Sequence, residues 1–254
     1  MNQGSAVNGA AGSSTASSTV AVVVLAGGSG LRVGHDRNKA YLPLGTRTAV
    51  GMSLQTMATA TMPGLRRLVL VVRTDDRELA ERTLDEELPR PSVPVELVVG
   101  GSTRHGSERQ ALRCLERDIH AGAVDLVLIH DAARPLVSPA MIDRVVNEAR
   151  KGHGAIAALP VVDTLKQVDE HGTIVKTVER AQLWRAQTPQ GFPHDMIVRA
   201  HREARAAGVS ATDDAALCER LGLPVVVVRG SERALKVTED ADFARVDALF
   251  SLPE

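Results

Sequence analysis

Residues 19–39 read TVAVVVLAGGSGLRVGHDRNK. Five small or β-branched apolar residues, Val20, Ala21, Val22, Val23 and Val24, closed by Leu25, predict a strand buried on both faces. Glycines follow at once. Gly27, Gly28 and Gly30 allow positive φ and a close backbone approach, so successive peptide N–H groups can turn inward on one anion. The stretch therefore predicts a strand that ends in a phosphate cradle. Arg32, a planar fork, and Lys39, a point charge, follow within loop reach of the same anion. Gly28, Gly30 and Gly34 also spell G-x-G-x-x-x-G, a variant of the dinucleotide fingerprint. That fingerprint opens directly into an amphipathic helix. Here LRVGHDRNKAYLPLG is polar, is interrupted by Gly34, Pro43 and Gly45, and shows no helical period before Thr48.

Outward from this stretch the chain alternates strand and helix. Thr48 caps a helix to Ala60 with Val50, Leu54, Met57 and Ala58 inward. Strands are expected at 68–72, 93–99, 124–129 and 155–162. Charged or amphipathic helices lie between them, at 75–88, from Ser102 or Thr103 to about Arg117, and from Ser138-Pro139 onward. In the last of these, Met141, Ile142, Val145, Val146 and Ala149 keep the i, i+3, i+4 spacing, with Pro139 at the first helical position. The βαβαβ order predicts an α/β fold of three layers, a mostly parallel Rossmann-like sheet covered by helices on both faces. Loops at the carboxyl ends of its strands then converge on one crevice. Those loops are the glycine loop, Gly100-Gly101-Ser102 and the HDAARP segment from His130 to Pro135.

The period changes at 163–182. Two short polar strands flank Asp169-Glu170-His171-Gly172, a hairpin turn with glycine placed for positive φ. A lone two-stranded hairpin is marginal in water, so this segment is expected to protrude as an arm that packs on a second copy of the chain. Leu183 to Gln190 is read as a run back to the body. It leads to a helix at 193–206, a helix capped at Thr212-Asp213, a late strand at 225–228 and a last helix from about Glu239 that buries Phe243, Val246, Leu249 and Phe250.

Composition sets bounds on function. The 254 residues carry 30 basic and 31 acidic side chains, a net charge of −1, so no global basic field exists for nucleic acid. Aromatics at 2% are too few for base-stacking platforms. No apolar run approaches the roughly 18 residues of a membrane span. Cys114 and Cys218 lack metal-like spacing and read as core thiols of a cytoplasmic protein. Residues 1–19 are rich in Gly, Ser, Ala, Thr and Asn without a charge and read as a disordered tail. Residues 20–254 then form a single domain. Of the basic residues 25 are Arg and only 5 are Lys, which singles out Lys39 and Lys236.

At the end of the fourth strand Asp131 stands beside the phosphate cradle. A carboxylate there can hold Mg²⁺ together with phosphate oxygens, or a ribose hydroxyl. Arg134 adds a fork for a second anion or an ion pair for Asp131. Lys236, between a strand and a helix, can return its ammonium to the same crevice.

Taken in order, AGGSGLR, NK, GGSTRHGS, HDAARP, DTLK, ERAQLWRAQTPQGF, TDDA and LKVT span the chain from about Val20 to Phe250. This pattern resembles the 2-C-methyl-D-erythritol 4-phosphate cytidylyltransferases, within a wider family that includes ribitol-5-phosphate cytidylyltransferase. The resemblance implies a nucleotide-diphosphosugar transferase type of fold and attack of a polyol phosphate on the α-phosphorus of CTP, with release of pyrophosphate. It implies CTP over Ala26, Gly27 and Gly28, its base and ribose near Gly101, Ser102, Ser107 and Asp131, and its triphosphate among Arg32, Lys39 and Lys236. The acceptor is expected near Arg134, Thr188, Thr212 and Lys236, with Thr164 and Arg180 supplied by the arm of a partner in a homodimer. Mg²⁺ is the implied cofactor, with Asp131 its ligand. A pentitol phosphate as acceptor is the near alternative. An NADP-dependent reductase, using Gly28, Gly30 and Gly34 with Arg73 on a 2′-phosphate, is the distant one. Four departures from the family pattern stand out: Ser102 and Ala234 replace a common aspartate and asparagine, the pair Glu108-Arg109 follows Ser107 where a small apolar residue is usual, and Glu179 replaces an aspartate.

Overall fold

The computed structural model describes residues 18–27, 38–60, 62 and 64–252. Gly28, Gly30, Arg32 and Gly34 lie outside the described residues, as does the tail up to residue 17. Thr19, expected in the tail, instead donates from both its N–H (2.7 Å) and its hydroxyl (2.9 Å) to the Asp125 carboxylate.

In chain order the elements are β1 (Val20–Leu25), β2 (Pro43–Leu44), β3 (Arg47–Thr48), α1 (Ala49–Thr59), β4 (Leu65–Val72), α2 (Arg77–Glu87), β5 (Val95–Val99), α3 (Arg104–His120), β6 (Leu126–Asp131) and α4 (Pro139–Ala149). They continue as β7 (Gly154–Pro160), β8 (Leu165–Val168), β9 (Ile174–Val178), β10 (Trp184–Pro193), α5 (His194–Ala206), α6 (Asp214–Glu219), β11 (Val225–Arg229) and α7 (Asp240–Phe250). Helix starts follow local chemistry. Thr48, Thr103, Ser138 and Asp213 each accept a backbone N–H from the first turn of α1, α3, α4 and α6.

Seven strands form one sheet in the order β11-β7-β10-β6-β1-β4-β5. All neighbours are parallel except β10, which runs antiparallel between β6 and β7. Alternation along β1 feeds two cores. Val20, Val22 and Val24 face the layer of α1 and α4, while Ala21 and Val23 face that of α3 and α5. The order reverses beside β1, since β4 and β5 lie on one side and β6 on the other. That switch point puts the ligand crevice outside the carboxyl ends of β1 and β6, where Leu25 is in register with Asp131.

The stretch expected to run back to the body is instead strand β10. Its polar residues hide a buried strand because their side chains are satisfied within the protein. Gln187 donates to the carbonyl of Ser231 (2.9 Å) and accepts from its N–H (3.1 Å), and Gln190 donates to Asp213 (2.9 Å). The ladder with β7 is irregular between Ala186 and Gln190, which accommodates Pro189, a residue with no N–H to offer a sheet. Phe250, expected in the core, is 60% exposed. Val246 is the buried apolar anchor of α7, flanked by half-buried Phe243 and Leu249.

Among the described residues β8 and β9 pair only with each other. Gly172 closes their turn at φ 82°, as the spacing predicts. Val168, Ile174 and Val175 are exposed on this hairpin, beside exposed Val162 and Trp184 at its base.

Candidate active site

Asp131 ends β6 and is almost fully buried. Its Oδ1 accepts from the Arg104 guanidinium of α3 and its Oδ2 from Lys236 Nζ at 2.7 Å. Burial alone would raise its pKa. The two cations and their hydrogen bonds outweigh that and hold the carboxyl well below the usual carboxylate range. The same network raises the Arg104 pKa, against a burial that would lower it.

A neutral chain fixes the other side of Asp131. Its N–H donates to Thr188 Oγ1 (3.0 Å), and Thr188 Oγ1 lies 3.1 Å from His130 Nδ1. His130 Nε2 lies 3.2 Å from the Arg134 carbonyl. A carbonyl only accepts, so Nε2 carries the proton and Nδ1 receives the Thr188 hydroxyl. Complete burial holds the His130 pKa down to about 4, against the pull of Asp131. Arg134 in turn donates from its guanidinium to the Ala234 carbonyl at 2.8 Å, while among the described residues its buried Nε–H has no hydrogen-bond partner. This leaves an unsatisfied guanidinium N–H on the side chain that holds Ala234, two residues before Lys236, a donor that suits an anion.

Two further segments close on the same place. Val237 N–H donates to the Ala133 carbonyl (2.8 Å), which ties the segment bearing Lys236 to the HDAARP loop. Lys39 Nζ donates to the Thr238 carbonyl (3.2 Å) and to Asp240 (3.1 Å). Asn38, beside it, donates to the Ala26 carbonyl and, at 2.8 Å, to Asp76. Across the crevice Ser107 Oγ accepts from Gly101 N–H at 3.2 Å. A Cβ at Gly100 would come 2.6 Å from Ser107 Oγ and one at Gly101 2.7 Å from the Gly106 backbone, so only glycine permits this approach.

Residues 20–251 match the family profile of 2-C-methyl-D-erythritol 4-phosphate cytidylyltransferase. The chain belongs to that family. A cytidylyltransferase of this name from Prochlorococcus marinus is 39% identical over 231 residues, 91% of this chain and 98% of its own. A bifunctional enzyme IspD/IspF from Nitrobacter winogradskyi is 40% identical over 233 residues. The match takes in 91% of this chain and 56% of that protein, so the chain spans about half the length of this longer relative. The crystal structure of the cytidylyltransferase from Thermus thermophilus superposes with a TM-score of 0.72 at 30% identity, covering 92% of this chain and 100% of its own.

Within this cytidylyltransferase fold, the expected site residues fall into two groups. Asp131, Lys236, Arg134 and Thr188 meet directly or through one carbonyl, Lys39 is anchored two residues from Lys236, and Ala26, Gly27, Gly101 and Ser107 line the adjoining strand ends. Ser102 and Thr212 are exposed beside the caps of α3 and α6. Thr164 and Arg180 are exposed at the base of the hairpin, where Arg180 donates to the Val162 carbonyl. Asp131 is paired with Arg104 and Lys236, so Arg134 is not its ion-pair partner. Arg73, the residue needed by a reductase, is committed to Asp76 at 3.0 Å.

Sequence reasoning missed Arg104, His130, Asn38 and a buried group behind Arg104. Glu108 Oε1 sits 2.8 Å from Arg104 Nε, and His201 Nε2 is 2.8 Å from Asp214 Oδ1. Burial and the Asp214 carboxylate push Glu108 well above the ordinary carboxyl range, with Arg104 opposing them. Glu108 thus backs the arginine that grips Asp131. Ligand atoms of Glu108, His201 and Asp214 lie within 4.8 Å of one another. The Arg104 guanidinium already meets that negative charge. The i, i+4 spacing of Arg104 and Glu108 was the one available signal.

Proposed function

We propose that this chain transfers the cytidylyl group of CTP to 2-C-methyl-D-erythritol 4-phosphate, giving the CDP-polyol and pyrophosphate for isoprenoid synthesis. The observation that carries the reading is the ionised Asp131 gripped by Arg104 and Lys236 at the β1–β6 switch point, in a chain of this family. An acceptor phosphate oxygen attacks the α-phosphorus of CTP. The new P–O bond forms as the bond to the β-phosphate oxygen breaks, and pyrophosphate leaves with that electron pair. A phosphate monoester is already an anionic nucleophile, so the chain supplies no general base. The obstacle is repulsion between two anions, and positioned cations aimed at the developing charge lower it. Lys39, Lys236 and Arg32 meet the triphosphate, while Arg134 meets the acceptor phosphate.

The residues present fit Mg²⁺. Asp131 keeps lone pairs beyond those used by Arg104 and Lys236, and one carboxylate with triphosphate oxygens and waters is a usual set for this ion. When bound, the ion neutralises part of the triphosphate charge.

The hairpin supports a homodimer. Its exposed Val168, Ile174 and Val175 are covered by a second copy in this reading, which carries Thr164 and Arg180 to the partner's acceptor site. Residues 20–254 then act as one domain with an arm at 163–182. Free Cys114 and Cys218 support a reducing, cytoplasmic setting. Among the described residues no helix is long and apolar enough to cross a membrane.

The test is pyrophosphate release by the purified chain with CTP, Mg²⁺ and either 2-C-methyl-D-erythritol 4-phosphate or ribitol 5-phosphate. Turnover with the first acceptor is expected. A preference for ribitol 5-phosphate overturns the assignment.

A further inference from the structure

Away from the Asp131 crevice, helices α3 and α5 pack side by side on one face of the sheet and leave a cavity of about 220 Å³ between them. Its lining is lopsided in charge. Arg109 and Arg113 reach it from α3, and Arg202 and Arg205 from α5, against a single acid, Glu116. Arg202 is paired with Glu203 at 3.2 Å. Among the described residues Arg109, Arg113 and Arg205 have no ion-pair or hydrogen-bond partner. Arg109 and Arg113 stand four apart on one helix, a like-charge spacing that disfavours the helix by itself. Between the arginines the lining is apolar, from Leu112 and Ile119 on α3 and Val198 on α5.

Unpaired guanidinium forks around an apolar strip suit a ligand with an anionic head and an apolar tail. The forks suit phosphoryl oxygens, which they grip two at a time, and the strip suits hydrocarbon. A bare inorganic anion would satisfy the arginines and leave the strip wet. We infer that the α3–α5 groove is a binding site for a diphosphate ester of a short apolar chain, with the diphosphate among Arg109, Arg113 and Arg205 and the chain over Leu112, Ile119 and Val198.

The site is separate from the catalytic crevice, so it is tested with variants of each. Geranyl diphosphate, inorganic pyrophosphate and geraniol are titrated calorimetrically into the full-length chain, into an Arg113→Ala/Arg205→Ala double variant and into Lys39→Ala. Arg113 and Arg205 are exposed, so the double variant should keep the parent's thermal melt and its cytidylyl-transfer rate. The expected result is binding of geranyl diphosphate to the parent and to Lys39→Ala alike, weakened about tenfold or more in the double variant. Pyrophosphate and geraniol should each bind about tenfold or more weakly than the ester. Binding that disappears in Lys39→Ala and survives in the double variant would overturn the inference, because the ester would then sit at the catalytic crevice. Equal affinity for pyrophosphate, or no binding of the ester, would also overturn it.

Discussion

Lys236 Nζ reaches across 105 positions of sequence to donate to Asp131 Oδ2 at 2.7 Å. The contact joins the segment before α7 to the end of β6, and it orients a cation toward the place where β1 ends. In the proposed reaction the same ammonium meets the triphosphate. Replacing Lys236 with Ala is expected to lower kcat/KM by two to three decades, about 3–4 kcal/mol, the scale of one lost transition-state donor. Arginine at this position should recover only part of the loss, since its planar fork does not reproduce a point charge. Steady-state pyrophosphate release checks both variants.

Asp131 is also a stability element with a defined pH signature. Its folded-state pKa lies below the unfolded value of 3.8, so ionisation favours the folded chain. The contribution is fully present above about pH 4 and is lost as pH falls through the folded-state value. Asp131→Asn should cost about 3 kcal/mol at neutral pH, because Arg104 and Lys236 lose their counter-charge. Urea midpoints of parent and variant should converge as the buffer is taken from pH 7 toward pH 3.

His130 has the same sign by a different route. It is buried neutral, with a folded-state pKa of about 4 against an ordinary 6.5. The unfolded chain therefore binds the extra proton between those values, and stability falls as pH drops from 6.5 to 4, by on the order of 3 kcal/mol. His130→Gln should flatten that part of the stability curve in urea titrations.

Thr188 links the two preceding groups through one hydroxyl. Thr188→Val keeps the shape and removes an acceptor for Asp131 N–H and a donor for His130 Nδ1, which should cost about 1–3 kcal/mol of stability and lower turnover. Thr188→Ser should restore both. Thermal melts and single-turnover rates of the three proteins separate lost geometry from lost packing.

For the arm, the expected outcome is a dimer by sedimentation at micromolar concentration. Arg180→Ala should stay dimeric yet raise KM for the acceptor, since it removes a group delivered to the partner's site. A monomeric parent, or an Arg180→Ala protein with parental KM, contradicts this part of the account.

Much of this is legible in the sequence because it depends on local chemistry. The unbroken Val20–Leu25 run marks a doubly covered strand, Ser138-Pro139 and Thr48 mark helix starts, and Gly172 marks the hairpin turn. Asp131, Lys236 and Arg134 stand out by residue type at strand ends and by the motifs around them. What escapes is satisfied only through distant partners. Strand β10 looks like loop because Gln187, Thr188 and Gln190 are polar, and their partners are 23 to 58 residues away. Arg104 and Glu108 look like a solvated helical pair, and their burial follows from Asp131 and Asp214, which no local window contains. Phe250 belongs in a core by residue type alone, whereas α7 turns it outward.

The most direct test is a crystal structure of this chain with CTP. The account predicts the triphosphate outside the ends of β1 and β6, with Arg32, Lys39 and Lys236 each within hydrogen-bond distance of a phosphate oxygen. A nucleotide bound elsewhere, or one that leaves Lys39 on Asp240 and Lys236 on Asp131 without touching either, contradicts it.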